Sequence, residues 1–159
     1  MSGQKITPCL WFDGKAEEAA EFYCRLFGNS KIKDVSRYGD GGPMPKGTAM
    51  MVAFDLEGQS FQGLNGGPMY KFTPAISMSV SCKSQAEVDH FWNGLLEGGG
   101  KEDRCAWLTD RFGVSWQVVP DALPRLLMNS GPAAAGRVMQ AMFKMTRIVI
   151  ADLEAAAAG

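Results

Sequence analysis

Residues 72–100 read FTPAISMSVSCKSQAEVDHFWNGLLEGGG, and residues 6–28 read ITPCLWFDGKAEEAAEFYCRLFG, a variation on the same plan. In the first of these stretches an alternating run places Ala75, Ser77, Ser79 and Ser81 on one face of a strand and Ile76, Met78 and Val80 on the other. A helix follows. Val88, Phe91, Trp92, Leu95 and Leu96 fall at i, i+3, i+4, i+7 and i+8, which draws one apolar stripe along it. Ser84 and Glu87 make a capping box at its start, and Gly98-Gly99-Gly100 closes it. In 6–28 a strand runs from Ile6 to Phe12. Ala19, Phe22, Tyr23, Leu26 and Phe27 then repeat the same helical intervals up to Gly28.

Working outward, each helix is followed by further strands. The first half offers Lys31 to Tyr38, Ala49 to Leu56, a Glu57-Gly58 turn, and Gln59 to Asn65. The second offers Lys101 to Asp103, Cys105 to Thr109, and Val114 to Val119. The order β-α-β-β-β therefore occurs twice, which predicts an α+β fold of two tandem βαβββ modules. The paired domain takes residues 1–120, with module one over about 1–68 and module two over about 73–120. Gly39 to Gly47 (GDGGPMPKG) is a Gly/Pro-rich loop over a pocket mouth. Residues 121–159 read as a helical extension. Ser130 caps a helix with Pro132 in its first turn, and Val138, Met139, Met142, Phe143 and Met145 give that helix an apolar face. The face is wider than a solvent-exposed helix needs, so the expected partner is a second copy in a homodimer.

Composition excludes several functions. Sixteen Lys+Arg against 17 Asp+Glu leave a net charge of −1 without a basic stripe, which argues against a nucleic-acid footprint. Apolar runs such as Met50 to Phe54 are too short to span a bilayer, and the start MSGQKITP lacks a secretory h-region. A cytoplasmic address is expected. Cys9, Cys24, Cys82 and Cys105 are scattered without a CxxC pair, so they read as small apolar side chains, reduced in a cytosol. His90, the single histidine, lies off the apolar stripe of its helix and reads as exposed.

The tandem modules, with Phe22-Tyr23 in the first helix and DRFGVSW (residues 110–116) opening the last strand, resemble the glyoxalase/bleomycin-resistance/dioxygenase (vicinal oxygen chelate) superfamily, and within it the PhnB-like branch. PCLWFDGKAEEAAEFYCRLFGNSKI, FQGLNGGP, FTPAISMSVSCKSQAEVDHFW and AWLTDRFGVSWQVVP carry the resemblance, from about Pro8 to Pro120. Members of the branch often bear the label 3-demethylubiquinone-9 3-methyltransferase, attached by similarity. The resemblance implies a curved sheet from each module and a cupped cavity between them. Metal-dependent relatives place one ligand on each of four strands, typically His or Gln, Glu, His and Glu. Carried over, those positions fall on Pro8, Gly63, Ala75 and Gln117. Three offer no side-chain donor and the fourth only a neutral amide, so neither a catalytic metal nor another cofactor is expected. Nor does any glycine cluster open a helix after a strand, as binding of S-adenosylmethionine would ask.

With strand parity taken from those alignments, the cavity-lining candidates are Leu10, Phe12, Gly63, Asn65, Ser77, Ser79, Cys105, Trp107 and Gln117. The set is apolar and aromatic with a few neutral hydrogen-bonding groups, which suits a small, partly aromatic ligand. Each has a plainer reading. Trp107 can be core, Gln117 can bond a carbonyl, Ser77 and Ser79 can hold water, Asn65 can serve a turn, and Asp110 with Arg111 can cap locally. Three functions stay open at this point. The first is a metal-free small-molecule-binding protein. The second is a metal-independent enzyme using Cys105 or a nearby acid, and the third is methyl transfer to a demethylubiquinone-like quinone.

Overall fold

The computed structural model describes residues 4–159, which form two compact units dividing at Phe72–Thr73. The first unit runs β1 (Cys9–Phe12), α1 (Ala16–Leu26), β2 (Lys31–Arg37), β3 (Ala49–Leu56) and β4 (Gln59–Asn65). Its sheet has the order β1-β4-β3-β2, with β1 parallel to β4 and the other pairs antiparallel. The Glu57-Gly58 turn has both residues at positive φ, 47° and 82°, which is the left-handed geometry that two-residue hairpins need. It locks Phe54 opposite Phe61 and Val52 opposite Gly63.

One face of this sheet is covered by α1. Tyr23 stacks on Phe54, and Phe54 on Phe61, at centroid distances of 6.4 and 5.6 Å. Ala16, Ala19 and Ala20 are fully buried beside them, and these small residues let the helix lie close. A Cβ on Gly63 would stand 3.2 Å from the Ala16 methyl, so glycine suits that crossing. Lys15 gives α1 no side-chain cap. Instead Asn65, at the end of β4, accepts from the Ala16 N–H at 2.9 Å and donates to the Ala49 carbonyl at 2.8 Å. One amide therefore ties helix, β4 and β3 together.

The second unit repeats the plan with β5 (Met78–Cys82), α2 (Gln85–Leu96), β6 (Lys101–Glu102), β7 (Trp107–Thr109) and β8 (Ser115–Pro120), in the order β5-β8-β7-β6. The capping box forms. Ser84 Oγ accepts from Glu87 N–H, while the Glu87 carboxylate reaches past it to Lys83 N–H at 2.6 Å. The DRFG segment also has a structural explanation. Buried Asp110 accepts from Phe112 N–H, Val114 N–H and the Trp116 indole N–H at 2.8–3.0 Å, and Gly113 supplies φ 93°. These bonds fix the turn that starts β8.

Three helices complete this unit: α3 (Ala122–Asn129), α4 (Gly131–Phe143) and α5 (Ile150–Ala158). The helical extension expected after residue 120 is present, but it folds with the second module. Leu123, Val138, Ile148 and Leu153 bury themselves with Ala106, and Val119, Met142 and Met145 pack around them. Pro132 lies in the first turn of α4 as expected, whereas Ser130 makes no side-chain cap, since its backbone is already helical. The strands expected to start at Ile6, Ala75 and Cys105 begin at Cys9, Met78 and Trp107. Among the described residues, no helix is long and apolar enough to cross a membrane.

Asn65→Ala leaves a helix N–H and a carbonyl without their partner inside the first core. Chemical denaturation should show a loss of about 1–3 kcal/mol, with an unchanged denaturant slope. An unchanged midpoint would contradict this role.

Candidate functional site

Sheet register sorts the candidate residues by face. In the second unit Ser79, Gln117 and Trp107 are in register across β5, β8 and β7, so their side chains share a face. The neighbouring row is Met78, Trp116 and Leu108, of which Trp116 and Leu108 are buried. That row packs with Val88, Trp92 and Leu95 of α2. Ser79, Gln117 and Trp107 therefore lie on the face turned away from α2, where they are exposed or half-buried, and Val119 of the same face packs with the C-terminal helices. Ser77, one residue ahead of β5, accepts from Gln117 Nε2 at 2.9 Å. This interaction fixes the amide and joins two of the candidates.

In the first unit the expected facing is inverted. Gly63 and Asn65 meet Ala16 of α1, and Leu10 and Phe12 are their register partners on β1. All four are buried. They form the helix-facing core instead of a cavity lining, because strand alternation turns their side chains to the face that α1 covers, and a parity shifted by one residue exchanges the faces. The helix-free face carries Cys9, Trp11, Gln62 and Leu64. Trp11 donates to Gly67 O at 2.9 Å and meets Tyr70 edge-on at 5.0 Å. A Cβ on Gly66 would fall 2.2 Å from its ring, so only glycine fits there.

This face also holds a polar cluster absent from the sequence-based candidates. Ser60 Oγ donates to Asp55 at 2.6 Å and accepts from Lys33 at 2.9 Å, while Lys33 and Asp55 stand 2.9 Å apart. The bonds from Lys33 and then Ser60 hold the Asp55 carboxyl below its ordinary range. The signal was the alternation in β3, where Asp55 is out of phase with Val52, Phe54 and Leu56.

Cys105 is also corrected. With φ 56° it belongs to a turn and precedes β7, so strand parity does not apply to it. Ala75, expected on the first strand of module two, is exposed and lies before β5. Gly63, another of the positions carried over for a metal, faces α1 of its own unit. Among the described residues, no group of three or more His, Cys, Asp or Glu is placed to hold a metal ion. His90 is exposed on α2, as expected. Burial pushes the Cys82 thiol up to about 12, with Glu87 and Asp121 adding to the effect.

A family model described as 3-demethylubiquinone-9 3-methyltransferase matches residues 4–119. Among solved structures, a PhnB protein from Bacillus cereus with the same methyltransferase label is 38% identical, with a TM-score of 0.68, over 74% of this chain and 99% of its own. The Pseudomonas aeruginosa protein PA1353 is 25% identical, with a TM-score of 0.60, over 74% and 98%. A glyoxalase/bleomycin resistance protein from Albidiferax ferrireducens aligns at 14% identity and a TM-score of 0.48 over 74% and 98%. A search of curated proteins finds no match.

Two outcomes follow from the titrating groups. A carboxyl held low when folded stabilises above its unfolded value of about 3.9 and loses that contribution as pH falls through its folded value. Asp55→Asn should thus be less stable than the wild type near neutrality, and the gap should narrow in acid; a gap independent of pH in thermal unfolding would contradict this. For the thiols, Cys82 should resist alkylation by iodoacetamide at neutral pH until the protein unfolds, as mass spectrometry would show. Labelling of Cys82 at the rate of a free thiol in the native protein would refute its burial.

Proposed function

Taking as premise that the chain belongs to the 3-demethylubiquinone-9 3-methyltransferase family, we propose that it binds a small, partly aromatic molecule without a metal, on the face of the second sheet turned away from α2. The observation that carries this reading is the row Ser79, Gln117 and Trp107, with Gln117 fixed by Ser77. It offers an aromatic plane beside an oriented neutral amide, and no charge. Such a surface favours stacking of a flat ring with a hydroxyl or carbonyl at its edge.

Magnitudes set the scale of the test. A two-ring aromatic that buries about 200 Å² gains roughly 5 kcal/mol at about 25 cal/mol per Å². Association costs reduce this. A minimal probe should therefore bind in the upper micromolar to millimolar range.

Methyl transfer draws little support from the residues. The first two strand-to-helix junctions read Asp13-Gly14-Lys15 and Lys83-Ser84, and neither is a Gly-rich fingerprint. Their helix-start amides are already engaged, Ala16 N–H by Asn65 and Glu87 N–H by Ser84. The residues thus do not fit S-adenosylmethionine at these junctions. Self-association belongs to the same proposal. Met128 and Phe143 are 82% and 55% exposed, and apolar side chains of this size favour contact with a second copy.

Thermal shift at millimolar 1-naphthol should raise the melting temperature by mass action. Trp107→Ala should abolish the rise and Gln117→Ala should reduce it, while S-adenosylmethionine should give none. A rise that survives Trp107→Ala would overturn the assigned face, and one with S-adenosylmethionine would restore the methyltransferase reading.

A further inference from the structure

The second unit contains a turn that its own residues do not favour. Trp107 N–H donates to Arg104 O at 3.2 Å, and between them Cys105 and Ala106 have φ 56° and 74°. This is the geometry of a type I′ turn, whose central positions prefer Asn and Gly because a Cβ crowds the left-handed backbone. Here both central residues carry one. A turn of this kind persists when its surroundings over-determine it.

The surroundings come from the C-terminal helices. Cys105 N–H donates to Met145 O and Ala106 N–H to Thr146 O, each at 2.9 Å, while Ala106 O accepts from Val118 N–H at 2.8 Å. The Ala106 methyl is buried with Leu123, Val138, Ile148 and Leu153. The same segment is fastened again two to four residues on. The Gln85 side chain, at the start of α2, donates to Ile148 O at 3.0 Å and accepts from Ile150 N–H at 2.8 Å. Gln85 also donates to Asp89, and Asp89 pairs with Arg147 at 3.3 Å. Residues 145–150 thus run between two anchorages, the left-handed turn and the start of α2.

Trp107 is the residue that follows this turn. We propose that residues 145–150 act as a strap that sets Trp107 on the ligand face, and that Gln85, which fastens the strap, is a positioning residue for that face. The consequence for ligand affinity rests on the binding reading given above, whereas the strap itself does not. The equivalent connection in the first unit, between β2 and β3, is the loop with Gly39, Gly41, Gly42 and Gly47. Glycine relieves backbone strain there, and no strap is needed.

The test compares Gln85→Ala with the double variant Gln85→Ala/Cys105→Asn by NMR, with the Trp107 indole resonance assigned through Trp107→Phe. In Gln85→Ala, amide exchange at Cys105 and Ala106 should accelerate tenfold or more, the Trp107 indole resonance should move, and 1-naphthol should bind several-fold more weakly. Asparagine favours the left-handed first position. Adding Cys105→Asn should therefore return the Trp107 resonance and the 1-naphthol affinity toward wild type, with the lowered melting temperature unrepaired. A merely structural Gln85 would lower the melting temperature and leave the Trp107 resonance and turn exchange unchanged, and that result overturns the proposal. Should Gln85→Ala fail to fold, Gln85→Glu, which keeps the acceptor for Ile150 N–H and removes the donor to Ile148 O, is read in the same way. If the wild type binds no 1-naphthol, the binding reading fails, and exchange and resonance still decide the strap.

Discussion

In each sheet the helix that follows the first strand presses onto one face, and much else in the chain depends on that contact. In the first unit it is made by small residues, Ala16 against Gly63, with Tyr23, Phe54 and Phe61 stacked alongside. In the second, Trp92 and Leu95 of α2 are buried with Leu108 and Trp116 of the sheet. Burying such side chains contributes about 1.5–3 kcal/mol each, far more than any choice of residue on the other face. The contact settles strand parity, and parity settles which side chains are left to meet something else. The faces turned away from α1 and α2 are therefore where function has room to vary.

Much of this was legible in the residues. Two helical stripes at identical intervals, each with a strand before it, disclosed the repeat, and both sheets have the order that follows from it. In the second unit the parity came from the family alignment, and the run of serines through Ser77, Ser79 and Ser81 carries the same facing, because a buried strand face would not hold them. In the first unit β1 reads Cys-Leu-Trp-Phe, apolar on both faces, and its alternation carries no sign. The register was nonetheless encoded in the Glu57-Gly58 turn, which pairs Val52 with Gly63 and so puts Gly63 on the core side.

Three features were beyond local reading. Cys105 and Ala106 continue an apolar run into Trp107, and nothing in their identities announces a left-handed turn. That conformation comes from carbonyls forty residues further along the chain. The methionine-rich face suggested a second subunit; Val138, Met142 and Met145 pack within the second unit, whereas Phe143 of the same stretch stays exposed. Asn65 shows the same limit. Its role as a cap for α1 depends on a contact across 49 positions, whereas its sequence neighbours Gly66-Gly67 suggested a turn.

The family label names a reaction, and the side chains set bounds on what the chain itself provides. The row along Ser79, Gln117 and Trp107 offers an aromatic ring and neutral hydrogen-bonding groups, which suits recognition of a flat organic molecule. Intermolecular nuclear Overhauser effects between 1-naphthol and the protein test this most directly. Contacts from the naphthol ring protons to the Trp107 indole and the Gln117 side-chain amide are the expected result. Contacts confined to other surfaces, with Trp107 and Gln117 silent, would contradict the account.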